Sequence, residues 1–379
     1  MSDYSSNIDF IDLKSQQALI RSEIEQAITK VLDHGNYIMG PEVKDLEKKL
    51  GKFCNVDHVI SCANGTDAIS LALMSLDVKK NDAIFVPSFT YIATAEAPAI
   101  LGLKPFFVDV DKDSFNLCPI SLKNAIEESI KIGLNPKVII SVELFGNPTD
   151  YAAIKDIAKE YDIKLLIDAA QSFGSSYKKN MIGSIGDIVT TSFFPAKPMG
   201  CYGDGGAIFT NNKALSQKLD SLRLHGRGEH KYDHPRIGMN SRLDSIQACI
   251  IIEKLKIFKN ELKKKQLIAD KYNHELSEIC KVPILNKDCT SSWAQYTIQV
   301  DKRDELKAHL ERMNIPTAIY YPIPLHMQEG YKDYPTSKLG CPNSEELSKK
   351  VISLPMSAYL AHDAQKKIIN EIKNFYLMN

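Results

Sequence analysis

Leu165-Leu166-Ile167-Asp168-Ala169-Ala170-Gln171-Ser172-Phe173-Gly174 opens as an apolar run, closes that run on a carboxylate and continues into small and polar residues. Apolar residues in succession leave no polar face, which suits a strand covered by helices on both sides; Val138-Ile139-Ile140 repeats the pattern. Outward from there, His58–Ser61, Ala83–Val86, Pro105–Val108, Lys137–Val142, Leu165–Ile167, Ile188–Ser192 and Ala207–Thr210 read as strands separated by amphipathic helical stretches. Such alternation predicts an α/β fold with a mostly parallel central sheet. Ligands of these sheets bind outside the carboxyl ends of the strands, so polar residues directly after a strand are where chemistry is expected.

On the N-terminal side, Gln16–Leu32 and Val43–Phe53 have helical spacing. His34-Gly35-Asn36-Tyr37-Ile38-Met39-Gly40-Pro41 joins them, with glycine as a stop and proline as a start. On the C-terminal side, Leu243–Leu276 gives a long helical pattern, and Gln295–Val300, Asp304–Met313, Thr317–Tyr320 and Ala364–Tyr376 alternate strand and helix again. The expected organisation is a helical arm and large domain over 1–250, followed by a smaller α/β domain over 251–379. Lys263-Lys264-Lys265, with Glu253 and Glu261 nearby, reads as a solvated face of the long helix.

Composition excludes several classes of function. The 379 residues carry 47 Lys+Arg and 47 Asp+Glu, a net charge of zero, so no global field favours a nucleic acid or an anionic bilayer. A hydrophobic share of 44% with 25% charged residues belongs to a folded globular chain, not a disordered one. No apolar stretch approaches the ~20 residues of a bilayer span. Residues 1–11 lack both the basic start and the apolar segment of a secretory signal, so a cytoplasmic location is expected. Cys54, Cys62, Cys118, Cys201, Cys249, Cys280, Cys289 and Cys341 include no C-x-x-C pair, which argues against zinc or a disulfide framework and for reduced, mostly buried thiols.

Three features carry chemistry. Asp168 ends its strand in the ligand crevice, where a carboxylate serves as a catalytic group, a helix cap or a metal ligand. Lys197 lies between a strand end and a glycine-rich turn, in Ser192-Phe193-Phe194-Pro195-Ala196-Lys197-Pro198-Met199-Gly200. Those neighbours are poor company for a solvated ammonium. Partial burial lowers the pKa of such a lysine and frees its amine for a Schiff base, although a surface lysine in a loop is the commoner fate. In Ser61-Cys62-Ala63-Asn64-Gly65-Thr66-Asp67-Ala68 a strand runs into Asn-Gly-Thr at a helix start, a place for a phosphate or simply a helix cap. Pyridoxal phosphate needs an amine, an anion beside its ring nitrogen and amide donors for its phosphate; Lys197, Asp168 and Gly65–Thr66 supply all three.

Asn64–Ala68, Pro87-Ser88-Phe89-Thr90-Tyr91-Ile92-Ala93-Thr94-Ala95, Asp168–Gly174, Ser192–Lys197 with Gly203–Ala207, and Asn240-Ser241-Arg242-Leu243-Asp244-Ser245-Ile246-Gln247-Ala248 together resemble the DegT-type sugar-nucleotide aminotransferases over nearly the whole chain. The resemblance implies the fold-type I, aspartate aminotransferase-like architecture with pyridoxal 5'-phosphate, in a homodimer whose active sites are built across the interface. Carried over, Lys197 would bear the Schiff base, Asp168 would pair with the ring nitrogen and Gln171 would touch the ring. Gly65, Thr66 and Ser192 would hold the phosphate, Tyr91 would stack on the cofactor, and Asn240 would reach the phosphate in the neighbouring subunit. Bare of the resemblance, Tyr91 reads as core and Asn240 as a cap. Ala196 and Phe194 depart from the family, which often has Ser or Thr and His there; the presence of Lys197 argues against its dehydratase branch, where a histidine replaces the lysine.

Phe10-Ile11-Asp12-Leu13-Lys14, Gly35–Pro41, the Ser192–Pro198 stretch and Tyr320-Tyr321-Pro322-Ile323-Pro324-Leu325 resemble most the enzymes that aminate C3 of UDP-2-acetamido-2-deoxy-3-oxo-D-glucuronate. Their amino donor would be L-glutamate and their product an O-antigen or capsule sugar. A uronate needs a cation, for which Arg242 is the candidate and Arg227, Arg236 and Lys231 the alternatives; each arginine equally suits a salt bridge at a dimer surface. Tyr320 and Tyr321 would line the sugar, although Tyr320 stands where this subfamily has a histidine. The competing readings are a C4 aminotransferase of a UDP- or dTDP-4-keto-6-deoxyhexose and, more remotely, a regulator that binds pyridoxal phosphate without turnover. A dinucleotide enzyme would want Gly-x-Gly-x-x-Gly after its first strand, whereas Gly203-Asp204-Gly205-Gly206 precedes one.

Overall fold

The computed structural model describes residues 8–230 and 232–378. All the runs read as strands in the first part of the chain are strands: β1 (His58–Cys62), β2 (Asp82–Pro87), β3 (Lys104–Val108), β4 (Asn135–Val142), β5 (Lys164–Asp168) and, after the short β6 (Ser176–Tyr177) and β7 (Asn180–Met181), β8 (Ile188–Ser192) and β9 (Gly206–Thr210). Seven of them form one sheet in the order β1-β9-β8-β5-β4-β2-β3. Pairing is parallel from β8 through β5, β4 and β2 to β3, and antiparallel only where β9 meets β8 and β1. β9 is reversed because β8 turns back directly through Phe193–Gly205, with no crossover helix to restore the direction.

Alternate residues of these strands feed two apolar layers. Phe85, Ile139, Leu165, Ile167, Val189 and Phe209 join the cluster on one face, and Ile84, Val138, Ile140, Leu166, Ile188 and Ile208 the cluster on the other. That is why the strands read as continuously apolar. Helix Pro41–Cys54 shows the matching rule on one flank: proline opens it, and Val43, Leu46, Leu50 and Cys54, at helical spacing, are all buried.

The N-terminal arm differs from expectation in one place. The stretch read as one helix over 16–32 is two, Leu13–Leu19 and Arg21–His34, divided at Ile20, whose φ of −124° is outside the helical range. The turn brings the Ile20 side chain into a cluster with Ile24, Val31, Cys249 and Ile250. Gly35 stops the second helix in the left-handed conformation, φ 69°, and returns its N–H to the Val31 carbonyl.

After the sheet, helix Ser245–Leu276 runs 32 residues. Its first half packs Ala248, Ile251, Ile252 and Phe258 into one face of the sheet; its last turns pack Ala269, Tyr272 and Leu276 into a separate cluster with Trp293, Tyr296, Ile352 and Ile368. Around the latter cluster lie Tyr296–Gln299 paired with Val351–Leu354, and helices Arg303–Arg312 and His362–Met378, whereas helix Pro342–Lys350 buries Leu347 in another cluster with Phe89, Val142 and Phe145. Thr317–Tyr320, expected as a strand, makes only a single bridge, Ala318 to Ser353. Pro316 and Pro322 bracket it and have no N–H with which to extend a ladder.

Lys263 and Lys264 are exposed, whereas Lys265 is half-buried. It falls at helical spacing from buried Lys254, Phe258 and Glu261 and turns inward, where burial pushes its ammonium down to about 8 against the pull of Glu261. Cys54, Cys62, Cys201, Cys249 and Cys341 are buried, the other three cysteines partly so, and all are free thiols. Among the described residues no helix is long and apolar enough to cross a membrane.

Candidate active site

Parallel strands bring their carboxyl ends to one edge of the sheet, which therefore presents in order Ser192, Asp168, Glu143, Ser88 and Asp109, each at a strand's last residue or the next one. Asp168 is only 7% exposed and accepts hydrogen bonds from Thr94 Oγ1 and the Ala170 N–H, each at 3.1 Å. Burial pushes its carboxyl above the ordinary aspartate value, and the Ala170 amide, the charge of Lys197 and the Thr94 hydroxyl pull it back. Two donors on one buried carboxylate favour the anion.

Lys197 sits in the reversed connection between β8 and β9, its N–H bonded to the Phe194 carbonyl at 2.9 Å. Burial lowers its ammonium pKa, and Asp168 opposes the shift. Nζ lies 5.9 Å from the centre of the Tyr91 ring. Tyr91 is 54% exposed, so it is an open aromatic face beside the amine and not a core residue. A lysine of lowered pKa has a larger share of free amine at neutral pH, the form that attacks a carbonyl.

Beyond β1 the chain enters helix Gly65–Ser75, capped by Asn64, whose side chain accepts from the Asp67 N–H. This leaves the Gly65 and Thr66 amides without acceptors at a helix N-terminus, among the described residues. Asn64 supplies the cap that the sequence offered as an alternative, and the neighbouring amides stay free for an anion. Ser192 of β8 lies directly alongside: a Cβ built on Gly65 would stand 2.7 Å from the Ser192 Cβ. Only glycine keeps this concavity open. The turn is steadied from behind by the Ala63 N–H, which donates to Ser241 Oγ at 3.2 Å.

Gln171 is buried and fully committed: Oε1 accepts from the Phe145 N–H at 2.7 Å, and Nε2 donates to the Tyr321 hydroxyl at 3.1 Å. Tyr321 packs its ring 6.3 Å from that of Tyr91, and Tyr320 stands 5.7 Å from Tyr321. Burial raises both phenols, Tyr320 less than Tyr321. Lys197, Asp168, Gln171, Tyr91 and Tyr321 thus form one group, with Gly65, Thr66 and Ser192 as an anion turn at the same edge.

Asn240 and Arg242 are apart from it. Asn240 is exposed, and no hydrogen bond, ion pair or ring contact joins either residue to Lys197, Asp168 or Gln171 among the described residues. Arg227 and Arg236 are exposed as well, with Arg236 Nη1 3.4 Å from Ser221 Oγ, and Lys231 lies outside the described residues.

Reasoning from the sequence passed over three contributors. Thr94 lies inside the quoted Pro87–Ala95 motif, and its helical position one turn after Tyr91 was a signal. Phe145 holds Gln171 through a backbone amide, which no side-chain pattern reveals. Glu143 follows the apolar run of β4 as Asp168 ends that of β5. It is fully buried and accepts the Thr149 N–H at 2.8 Å, and burial pushes its carboxyl up to about 8.

A model of the DegT/DnrJ/EryC1/StrS aminotransferase family matches residues 18–373. The chain belongs to this family. It is 43% identical over 368 residues to a UDP-2-acetamido-2-deoxy-3-oxo-D-glucuronate aminotransferase of Pseudomonas aeruginosa, covering 97% of this chain and 100% of that protein. Among solved structures, a DegT DnrJ EryC1 StrS aminotransferase from Brucella abortus aligns with TM-score 0.96 at 49% identity, over 97% of this chain and 99% of that one. The ntda protein of Bacillus subtilis, solved with bound cofactor PMP, aligns with TM-score 0.85 at 28% identity, over 93% and 81%. The fold is fold-type I, and the protein is a pyridoxal-phosphate-dependent aminotransferase. Its residues fit that cofactor: a buried carboxylate, an amine of lowered pKa and a concavity that a Cβ would close.

Proposed function

We propose that this aminotransferase moves the amino group of L-glutamate to C3 of UDP-2-acetamido-2-deoxy-3-oxo-D-glucuronate, making a 3-amino sugar nucleotide for O-antigen or capsule synthesis in the cytoplasm. The observation that carries the reading is the 43% identity, along both chains, to the Pseudomonas aeruginosa enzyme named for that substrate.

Bound pyridoxal phosphate supplies the carbonyl carbon that carries the nitrogen and a ring that accepts the electron pair left when the donor's α-carbon loses its proton. Lys197 would anchor the cofactor and move the proton of the donor's α-carbon, a task suited to its lowered pKa. Asp168, kept anionic by Thr94 and Ala170, would hold the proton on the ring nitrogen. Gly65, Thr66 and Ser192 would bind the phosphate at the helix N-terminus. Tyr91 would stack on the ring, and Gln171, fixed by Phe145 and Tyr321, would touch it.

The working unit in this reading is a homodimer. Exposed Asn240 reaches the phosphate in the second subunit, and Arg242 offers a two-pronged cation to the sugar carboxylate. Every cofactor residue belongs to the part up to residue 250, and Tyr320 and Tyr321, which line the sugar, to the part over 251–379. If Arg242 reads the carboxylate, Arg242→Ala loses more activity on the uronate than on a neutral 6-deoxy keto-sugar; equal losses would remove that role.

The test is the visible spectrum of the purified protein. Glutamate should bleach the cofactor band, and the 3-keto uronate made in situ by its dehydrogenase should restore it. Restoration by a 4-keto-6-deoxyhexose alone would overturn the C3 assignment in favour of C4. A protein that shows no band with added cofactor would overturn the reading altogether.

A further inference from the structure

Ser88, the residue after β2, has no exposed surface, and its Oγ lies 2.6 Å from Nδ1 of His326. On the far side of the same ring, Nε2 is 3.3 Å from Glu345 Oε1. A carboxylate only accepts, so Nε2 carries the proton and Nδ1 takes the hydrogen of the Ser88 hydroxyl. Serine, imidazole and carboxylate in series are the parts of a nucleophilic relay, but nothing reaches a buried Oγ, and hydrolysis is not its use.

The series fastens one segment to the sheet. The Ser88 carbonyl accepts from the Leu325 N–H at 2.7 Å, and its Oγ lies 3.4 Å from the His326 N–H. Glu345 belongs to helix Pro342–Lys350, whose Asn343 and Ser344 amides each donate at 2.9 Å to Asp109, just past β3. The segment 320–328 is therefore held at two neighbouring strand ends. It carries Tyr321, whose ring stands 6.2 Å from Phe89 and 6.3 Å from Tyr91, residues that follow directly on Ser88. Of the residues assigned to the cofactor, Gln171 bonds to this segment, through the Tyr321 hydroxyl, and it is held independently by the Phe145 N–H; Lys197, Asp168 and the Gly65–Thr66 turn make no hydrogen bond to 320–328 among the described residues.

We infer that His326 is a positioning residue for the sugar-accepting half of the reaction, holding the Tyr320-Tyr321 wall against Tyr91 through Ser88 and Glu345. The inference rests on the reading of Tyr320 and Tyr321 as sugar-lining residues. His326 meets no substrate atom itself and acts through Tyr321.

The two half-reactions separate this role from a general loss of structure. In stopped-flow runs on the holoenzyme, His326→Ala should bleach with glutamate within about threefold of the wild-type rate, while the keto-sugar concentration for half-maximal restoration rises roughly tenfold, the scale of one lost buried hydrogen bond. His326→Asn, whose amide oxygen stands near the Nδ1 position, should recover most of that loss, and Ser88→Ala should repeat it. If His326→Ala fails to fold, Ser88→Ala decides alone. Equal slowing of both halves, or no change in either, would overturn the inference. Which keto-sugar restores the wild-type band tests the substrate reading separately, and the comparison of variants is made with whichever sugar does.

Discussion

Thr94 Oγ1 stands 3.1 Å from Asp168 Oδ2 and gives it its hydrogen, tying helix Ala93–Ile100 to the end of β5. The carboxyl already sits above the ordinary value of 3.8 through burial, so it loses its charge as pH falls through that raised value. Thr94→Val removes a donor to the anion and weakens its hold on the ring-nitrogen proton. kcat/KM should fall by roughly tenfold, the scale of one lost hydrogen bond to a buried charge. An unchanged kcat/KM would take Thr94 out of the site.

Lys197→Ala should give no detectable turnover, because a positioned acid/base is typically worth about 10²–10⁴-fold and the covalent anchor is lost as well. Borohydride reduction followed by intact mass should add a cofactor to the wild type and none to the variant. Steady turnover by the variant would end the assignment of Lys197.

Gly65→Ala puts a methyl 2.7 Å from the Ser192 Cβ, where the neighbour is close to the strand backbone and has little room to yield. The strain, about 1–3 kcal/mol, should appear as weaker cofactor binding in equilibrium dialysis. An unchanged dissociation constant would place the phosphate elsewhere.

Glu143 makes a prediction about stability. Burial lifts its carboxyl from 4.5 to about 8, so between those values the folded chain holds a proton that the unfolded chain has released. Its contribution to stability is full below the lower value, declines as pH rises through the window and is gone above the upper one. Glu143→Gln keeps the neutral shape without the titration. Its Tm relative to wild type should rise between pH 4.5 and about 8 and level off above; a constant difference would mean that Glu143 is ionised throughout.

The sheet was legible because Leu165–Ile167 and Val138–Ile140 face apolar layers on both sides, so burial left its mark on every residue. Lys197, Asp168 and the Asn64–Thr66 turn were legible because each sits at a strand end or helix start, where local sequence sets the position. What escaped depends on partners far along the chain. Thr94 is 74 residues from Asp168, and His326 is 238 from Ser88, so neither contact leaves a periodic trace. Lys265 escaped for the opposite reason: its charge spoke for solvent, while its place on the helix face of Lys254 and Glu261 leaves it half-buried.

Helix Ser245–Leu276 enters one apolar cluster with Phe258 and leaves through another with Tyr272. Genetic exchange between this chain and a relative is constrained by that continuity. A crossover within the helix has to match two interiors at once, whereas one placed before Ser245 moves the helix intact with the C-terminal cluster it serves. Shuffling of the C-terminal residues among family members is least disruptive when the whole rod travels with them.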